Sequence, residues 1–361
     1  MRVLTEQDLK DLIEGCTVLG TGGGGEPEEG WELIERELKA GREFKLVSLE
    51  EIPDNGIVPM PYFVGSLSDE KVKSVYEEGE AVRSYRLLEE FMKKEFAGVI
   101  STELGGANTA VALATAARLG KPIVDGDPAG RSVPELQHTT YYIVGINIAP
   151  FSVVTPFGDE MIVSKVKDDF QAEKIVRSIA ASLRTNVGVT SHPIRGKELR
   201  NSVVKNAISY ALSLGRALRT AREEGADPIN ALLKAGNGFL LFKGIAVKST
   251  WEDKNGFTIG EFELEGVEEF KGETYRVWFK NENLISWRNG EIDVTIPDLI
   301  SALTPEGYPV TNPHVKEGKE YIVVGFPAPE LWRTPKGLEV FGPAYLGLNI
   351  PYTPIEKKFS R

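Results

Sequence analysis

The chain carries a single cysteine, Cys16, and three histidines, His138, His192 and His314, spread far apart. No intrachain disulfide can form, and no Cys/His zinc cage can be built from so few thiols and imidazoles, so a reducing compartment fits best. Positive charge is also scarce, with 42 Lys and Arg against 53 Asp and Glu and a formal net charge of -11. That surplus repels phosphate backbones and anionic leaflets, which argues against nucleic acid and membrane surfaces as partners. No stretch stays apolar for the roughly 18 residues that a membrane helix needs, because Glu103 and Arg118 bound the best candidate. The N-terminus reaches Glu6 and Asp8 without an apolar signal-peptide core, so the cytoplasm is the expected location.

What is present is an ordinary enzyme-like composition of 41% hydrophobic and 26% charged residues over 361 positions, more than one core usually organises. Thr5 can cap a helix carrying Leu9, Leu12 and Ile13 up to Gly15, and a second helix is expected from about Glu28 to Lys39. Phe44–Val47 and Ile57–Val64 read as strands, and the charged stretch from Ser68 to Phe96 as largely helical. The clearest unit follows. A buried strand over 97–101, an Ala-rich helix from Ala107 to Leu119 and a strand over 122–124 make a βαβ unit, which requires parallel pairing. The loops starting at Thr102 and Asp125 then leave one carboxyl edge, where open α/β sheets bind ligands.

Two strands, Phe151–Thr155 and Glu160–Lys165, and a helix begun by Asp168-x-x-Gln171 come next, followed by an apolar stripe that predicts one long helix from Lys197 to Glu224. That helix could pack on both domains or on a second copy, so a homo-oligomer stays open. From Gly238 onward the pattern has period two, with strands at Leu240–Thr250, Gly256–Leu264, Thr274–Phe279, Glu291–Thr295 and Tyr321–Phe326. Pro327–Pro354 should run extended over the surface. The expected architecture is an α/β N-terminal domain with a parallel sheet, 1–165, a helical connection, 166–237, and a mainly β C-terminal domain, 238–361.

Four consecutive glycines, Gly22, Gly23, Gly24 and Gly25, follow Gly20-Thr21. The loop matches G-x-G-x-x-G, but it lacks a robust strand before it and an acid about 20 residues on, which a dinucleotide site wants. Bare backbone N–H groups there can converge on a negative group of a ligand, and a nucleotide remains an alternative. Glu103-Leu-Gly105-Gly106-Ala-Asn108 offers a carboxylate, close backbone approach and an amide. Asp125-Gly-Asp127 sets two carboxylates two residues apart, so that like charge should raise one pKa and yield an acid and a base. Arg131 could hold one of them ionised or clamp a substrate oxygen. Glu135 reads as half of a capping box with Ser132, hence structural, and Cys16 as a buried small hydrophobe. Asp125, Asp127 and Glu103 together would suit a hard divalent cation such as Mg²⁺ or Ca²⁺, a minority reading.

As a set, Leu19-Gly-Thr21-Gly-Gly-Gly-Gly25, Glu103-x-Gly-Gly-Ala-Asn108, Val124-Asp-Gly-Asp127, Gly130-Arg131, Pro134-Glu-Leu-Gln137, Phe279-Lys-Asn281-Glu282-Asn-Leu, Ile296-Pro-Asp298-Leu-Ile300 and Phe341-Gly-Pro343 resemble the S-methyl-thiohydantoin desulfurase-like family. The resemblance spans nearly the whole chain. It implies a hydrolase-like activity on a small cyclic imide, in which water replaces the methylthio group of an S-methyl thiohydantoin and methanethiol leaves. It also implies a neighbourhood of hydantoinase and oxoprolinase subunits, so a non-catalytic role as partner subunit of such an enzyme is the alternative. Under the catalytic reading Asp125, Asp127, Glu103 and Arg131 carry the chemistry, while Thr21, Gly22–Gly25, Gly105, Gly106 and Asn108 hold the substrate.

Overall fold

The computed structural model describes residues 1–65 and 73–359. Residues 68–72, the start of the charged stretch read as helical, lie outside them, and the helix described there runs only from Glu80 to Met92.

The first helix is longer than its pattern suggested. Thr5 caps it through a reciprocal box with Asp8, and it continues from Glu6 through Gly15 to Leu19, so the run before the glycines is helix and not strand. Gly15 does not end it because Gly15 is a contact point. A Cβ there would lie 2.7 Å from the Ala211 carbonyl carbon, and one on Gly215 would lie 2.7 Å from that of Asp11. The helix Ala207–Glu224 therefore crosses the first helix backbone to backbone. Arg219 to Asp11 and Arg222 to Glu14, both at 2.7 Å, flank the crossing.

Helix Ala207–Glu224 is what remains of the single long helix expected over 197–224. The chain forms one turn at Gly196–Leu199, a short strand Val204–Lys205 paired with Gly126–Asp127, and a left-handed residue at Asn206 (φ 57°) before the helix begins. Leu199 and Val203 are still buried, but in the core of a sheet and not on a helix face. The β-branched Val203-Val204 pair and the αL asparagine are what break the helical period.

The parallel sheet is smaller than expected. Arg2–Leu4, Phe44–Val47 and Ile123–Val124 make a three-stranded sheet in which only the second pair is parallel, Leu46 with Ile123 and Val47 with Val124. Residues 97–101 add a single parallel bridge, Val99 to Ile123, rather than a strand. Their N–H groups do bond outward, Ala97 to the Ile57 carbonyl and Ile100 to that of Pro59. The facing strand Ile57–Val64 contains Pro59 and Pro61, which have no N–H to return, so no ladder can form. The bridge nevertheless places the loops after Thr102 and Val124 at one end.

A four-stranded antiparallel sheet completes this half, in the order Ile57–Val64, Val187–Arg195, Phe151–Val154, Glu160–Val163. The C-terminal half is an eight-stranded antiparallel sheet running from Glu291–Thr295 through Glu282–Arg288, Thr274–Lys280, Phe257–Gly266, Phe239–Lys254, Glu320–Phe326 and Leu299–Leu303 to Pro309–Val310. One buried cluster joins the halves, since Leu299, Leu303, Val324 and Phe326 pack with Leu12, Cys16, Leu19 and Leu214. The C-terminal tail is not extended. Thr334 accepts from Gly337 N–H and starts a helix at Pro335–Phe341, with 3-10 turns at Glu330–Arg333 and Pro343–Leu346. It sets a fully buried Trp332 whose Nε1 donates to the Ala129 carbonyl at 2.7 Å, capping the loop after Asp127.

Candidate functional site

Asp125 and Asp127 do not form the like-charge pair that their spacing suggested. The chain bends at Asp125, between the parallel strand and the Gly126–Asp127 pairing. The Asp125 carboxylate turns to the first turn of helix Ala207–Glu224, accepting from the Ser209 N–H at 3.0 Å and its hydroxyl at 2.5 Å. Asp127 folds back on its own loop, where Oδ1 accepts from the N–H groups of Ala129 (2.8 Å) and Gly130 (2.6 Å). Its Oδ2 is buried with no hydrogen-bond partner. Burial pushes its pKa up to about 6, against the pull of those two N–H groups; a neighbouring carboxylate is not the cause.

Arg131 is likewise a brace and not a clamp on either aspartate. Fully buried, it donates to the Ser132 carbonyl (3.0 Å), the Pro297 and Asp298 carbonyls (2.8 and 3.0 Å) and Thr21 Oγ1 (3.1 Å). Burial lowers its pKa to about 10, opposed by the charges of Glu282, Asp298 and Glu103, so it stays a cation at neutral pH. Its guanidinium therefore fixes the glycine loop to the Pro297 turn while its charge acts on the glutamates.

Those glutamates are the acidic pair of the molecule. Glu103 accepts from the Asn108 amide through one oxygen and from the Val133 N–H at 2.6 Å through the other. Asn108 thus spends its side chain on Glu103 and does not cap its helix. Glu282, which in the sequence stands out only as part of the Phe279–Leu284 motif, lies across from it, with Oε1 accepting from Ser132 Oγ at 3.0 Å and Oε2 buried without a partner. Both carboxyls are pushed above the ordinary range, first by burial and, for Glu103, next by the Glu282 charge. Ser132, Arg131 and Lys280 pull Glu282 back toward ionisation. Burial and like charge of this kind favour the neutral form of one of two interacting carboxyls, a state that can offer one acid and one base. A sequence signal for Glu282 existed in the tight turn Lys280-Asn281-Glu282, with Asn281 left-handed at φ 57°. What no local pattern shows is that this turn meets the Gly23 backbone 259 residues away.

The glycines are needed for approach by the protein's own groups. A Cβ on Gly23 would come within 2.7 Å of Glu282 Cδ and 2.8 Å of its Cγ. One on Gly24 would lie 2.5 Å from the Gly105 Cα, and one on Gly106 2.9 Å from Pro27. The Thr21 and Gly22 carbonyls accept from the Asn283 and Asn312 N–H groups, both at 2.7 Å, and the Gly24 carbonyl from those of Ala107 and Asn108. The loop follows a helix and not the strand that a dinucleotide site wants, and its close contacts are already filled by the protein's own groups. The Gly105–Gly106 approach expected for a ligand is likewise made by the Gly24 and Pro27 backbone. Three donors remain uncommitted, since the N–H groups of Gly22, Gly24 and Gly25 reach no protein acceptor among the described residues.

Ser132 and Glu135 form no capping box, because no helix starts there. Glu135 pairs with Lys280, and Tyr345 Oη donates to it at 2.8 Å. Burial opposes its charge, but the His138 ring, Lys280 and Tyr345 lower its pKa to about 2. Since burial also holds His138 down to about 3, that imidazole is neutral near pH 7, and the Lys280 ammonium is the partner that keeps Glu135 ionised. Cys16 is buried and its thiol is pushed up to about 12 by burial, which removes it as a nucleophile. Among the described residues no group of three His, Cys, Asp or Glu side chains is placed to hold a metal ion; Asp125, Asp127 and Glu103 are no exception.

Two family models match the chain: one described as S-Me-THD-like, N-terminal domain, over residues 7–165, and one as S-Me-THD-like, C-terminal domain, over 167–355. A crystal structure of a protein from Chromobacterium violaceum is similar, at 25% identity and a TM-score of 0.79, over 98% of this chain and 100% of that one. No curated protein matches.

Proposed function

The chain belongs to the S-Me-THD-like family along both halves, and from that premise we propose that it hydrolyses an S-methyl thiohydantoin, a small cyclic imide. Water adds to the ring carbon that bears sulfur and gives up one proton, the C–S bond breaks as methanethiol departs with a proton, and the second water proton moves from oxygen to the ring nitrogen, which leaves a hydantoin carbonyl and N–H. The observation that carries this reading is the buried Glu103–Glu282 pair, with Ser132 donating to Glu282 and the Val133 N–H to Glu103. The ionised member takes a proton from the attacking water, and the protonated member gives one to the departing thiolate. The pair ends the cycle with its proton on the other carboxyl, and solvent exchange resets it.

Charge that builds on the ring in the addition intermediate needs donors that are already in place. The uncommitted N–H groups of Gly22, Gly24 and Gly25 are the available set, and a preorganised donor of this kind is worth roughly 3–4 kcal/mol. Arg131 adds a fixed positive field from behind the loop. Asp127 shapes the neighbouring turn, and Asn108 and Val133 hold Glu103 in place.

The test is methanethiol release from a panel of S-methyl thiohydantoins by the wild type, Glu282→Gln and Glu103→Gln. The reading expects release by the wild type and a loss of at least about 100-fold in each folded variant. A folded wild type that is silent across the panel overturns the reaction, and variants of full activity overturn the assignment.

A further inference from the structure

A cavity of about 300 Å³ is lined by residues of both halves. Leu19, Leu104 and Gly130 line it, each the chain neighbour of a site residue, yet no carboxylate does. Phe326, Leu299 and Tyr210 supply the remaining apolar wall. The Tyr210 hydroxyl is turned away to the Gly236 carbonyl at 3.0 Å, so only its ring faces the space. The volume equals that of about ten waters, the size of a small organic molecule, and lies at the lower end of ligand pockets.

The polar groups at this cavity are concentrated on one side, at the consecutive residues Lys205 and Asn206. Lys205 sits on the short strand paired with Gly126, is exposed, and forms no ion pair among the described residues. Asn206 precedes the helix Ala207–Glu224 but makes no capping hydrogen bond with its side chain. Asp125, whose backbone carbonyl accepts from the Asn206 N–H, spends its carboxylate on Ser209. An apolar chamber with one uncompensated ammonium and one uncommitted amide at its edge is complementary to an anion with a hydrophobic body.

We propose that this cavity is a second binding site that takes a small monocarboxylic acid with an apolar body, its carboxylate on Lys205 and Asn206 and its body against Leu104, Tyr210 and Phe326. The site is separate from the Glu103–Glu282 pair and does not depend on the reaction assigned there. Titration calorimetry on the full chain with 4-phenylbutanoate and with its neutral amide tests it. Saturable binding of the acid is expected, with the amide at least about tenfold weaker. Lys205→Gln, a surface change, should weaken the acid by a similar factor and leave the amide unchanged, while Lys205→Arg retains binding. No saturable binding of the acid, equal affinity for the amide, or an unaffected Lys205→Gln protein would each overturn the proposal.

Discussion

Gly23→Ala separates the position of a catalytic group from the stability of the fold. Gly23 has an ordinary negative-φ backbone, unlike Gly22 (φ 89°), Gly24 (φ 80°) and Gly25 (φ 78°), so alanine brings no backbone strain there. Its methyl would sit 2.7 Å from Glu282 Cδ and 2.8 Å from Cγ, well short of a normal carbon contact of about 3.5–4.0 Å. The obstacle is the side chain of Glu282, which can swing aside, breaking its 3.0 Å bond from Ser132. The expected stability cost is that of modest overpacking plus one hydrogen bond, about 1–3 kcal/mol. A melting point a few degrees lower should result. Turnover should fall far more, at least about 100-fold, because the base or acid is displaced. Gly105→Ala is the contrast. Its methyl would meet the Gly24 carbonyl oxygen at 2.5 Å and carbonyl carbon at 2.8 Å, which are backbone and cannot swing, so the fold itself should suffer. Melting curves and methanethiol release on the same samples decide the matter. A Gly23→Ala protein that keeps full activity would refute the placement of Glu282 in the chemistry.

Other outcomes follow from particular contacts. Burial raises the Asp127 pKa to about 6 in the fold, well above its ordinary value of 3.8, so its ionisation is penalised. Its favourable contribution is complete below about pH 4 and is lost as pH rises through about 6. Asp127→Asn should therefore gain stability over the wild type across that window, by about 2–3 kcal/mol at neutral pH, as read by denaturant melts at several pH values; a pH-independent difference would contradict it. At the helix crossing, Gly215→Ala would place a methyl 2.7 Å from the Asp11 carbonyl carbon. It should destabilise the protein by at least about 3 kcal/mol in thermal melts, while a neutral effect would show that the crossing is looser than described.

The legible parts of the fold were those where local chemistry and tertiary contact agree. Thr5, Asp168 and the Gly120 terminus mark real helix ends, and the period-two segments after Gly238 became strands. Helix Glu6–Leu19 ran past its apparent stop because Gly15 serves a neighbouring helix, a demand invisible in one sequence. The parallel strand expected at 97–101 is reduced to one bridge to Ile123, and on its other side it faces a strand punctuated by two prolines. At the site, the glycine loop, Glu103 and Arg131 drew attention for sound reasons, yet their partners differed. The aspartates, two residues apart in sequence, turn to different partners, whereas Glu103 and Glu282, 179 positions apart, share one burial and one field. Spacing arguments reach a few residues, and a pair made by two halves of a chain is beyond them.

Strand Val187–Arg195 lies between Ile57–Val64 and Phe151–Val154, and the glycine loop is bonded to Asn283 and Asn312. During synthesis, then, the first sheet must wait for its central strand. The loop at residues 21–25 must wait longer still, until the turn at Asn312 has left the ribosome. The carboxyl pair, one member from each half, exists only once the two halves have met. From the addition of Ser132 until Asn312 has emerged, the nascent chain carries Glu103, Ser132 and the glycines without possessing the site.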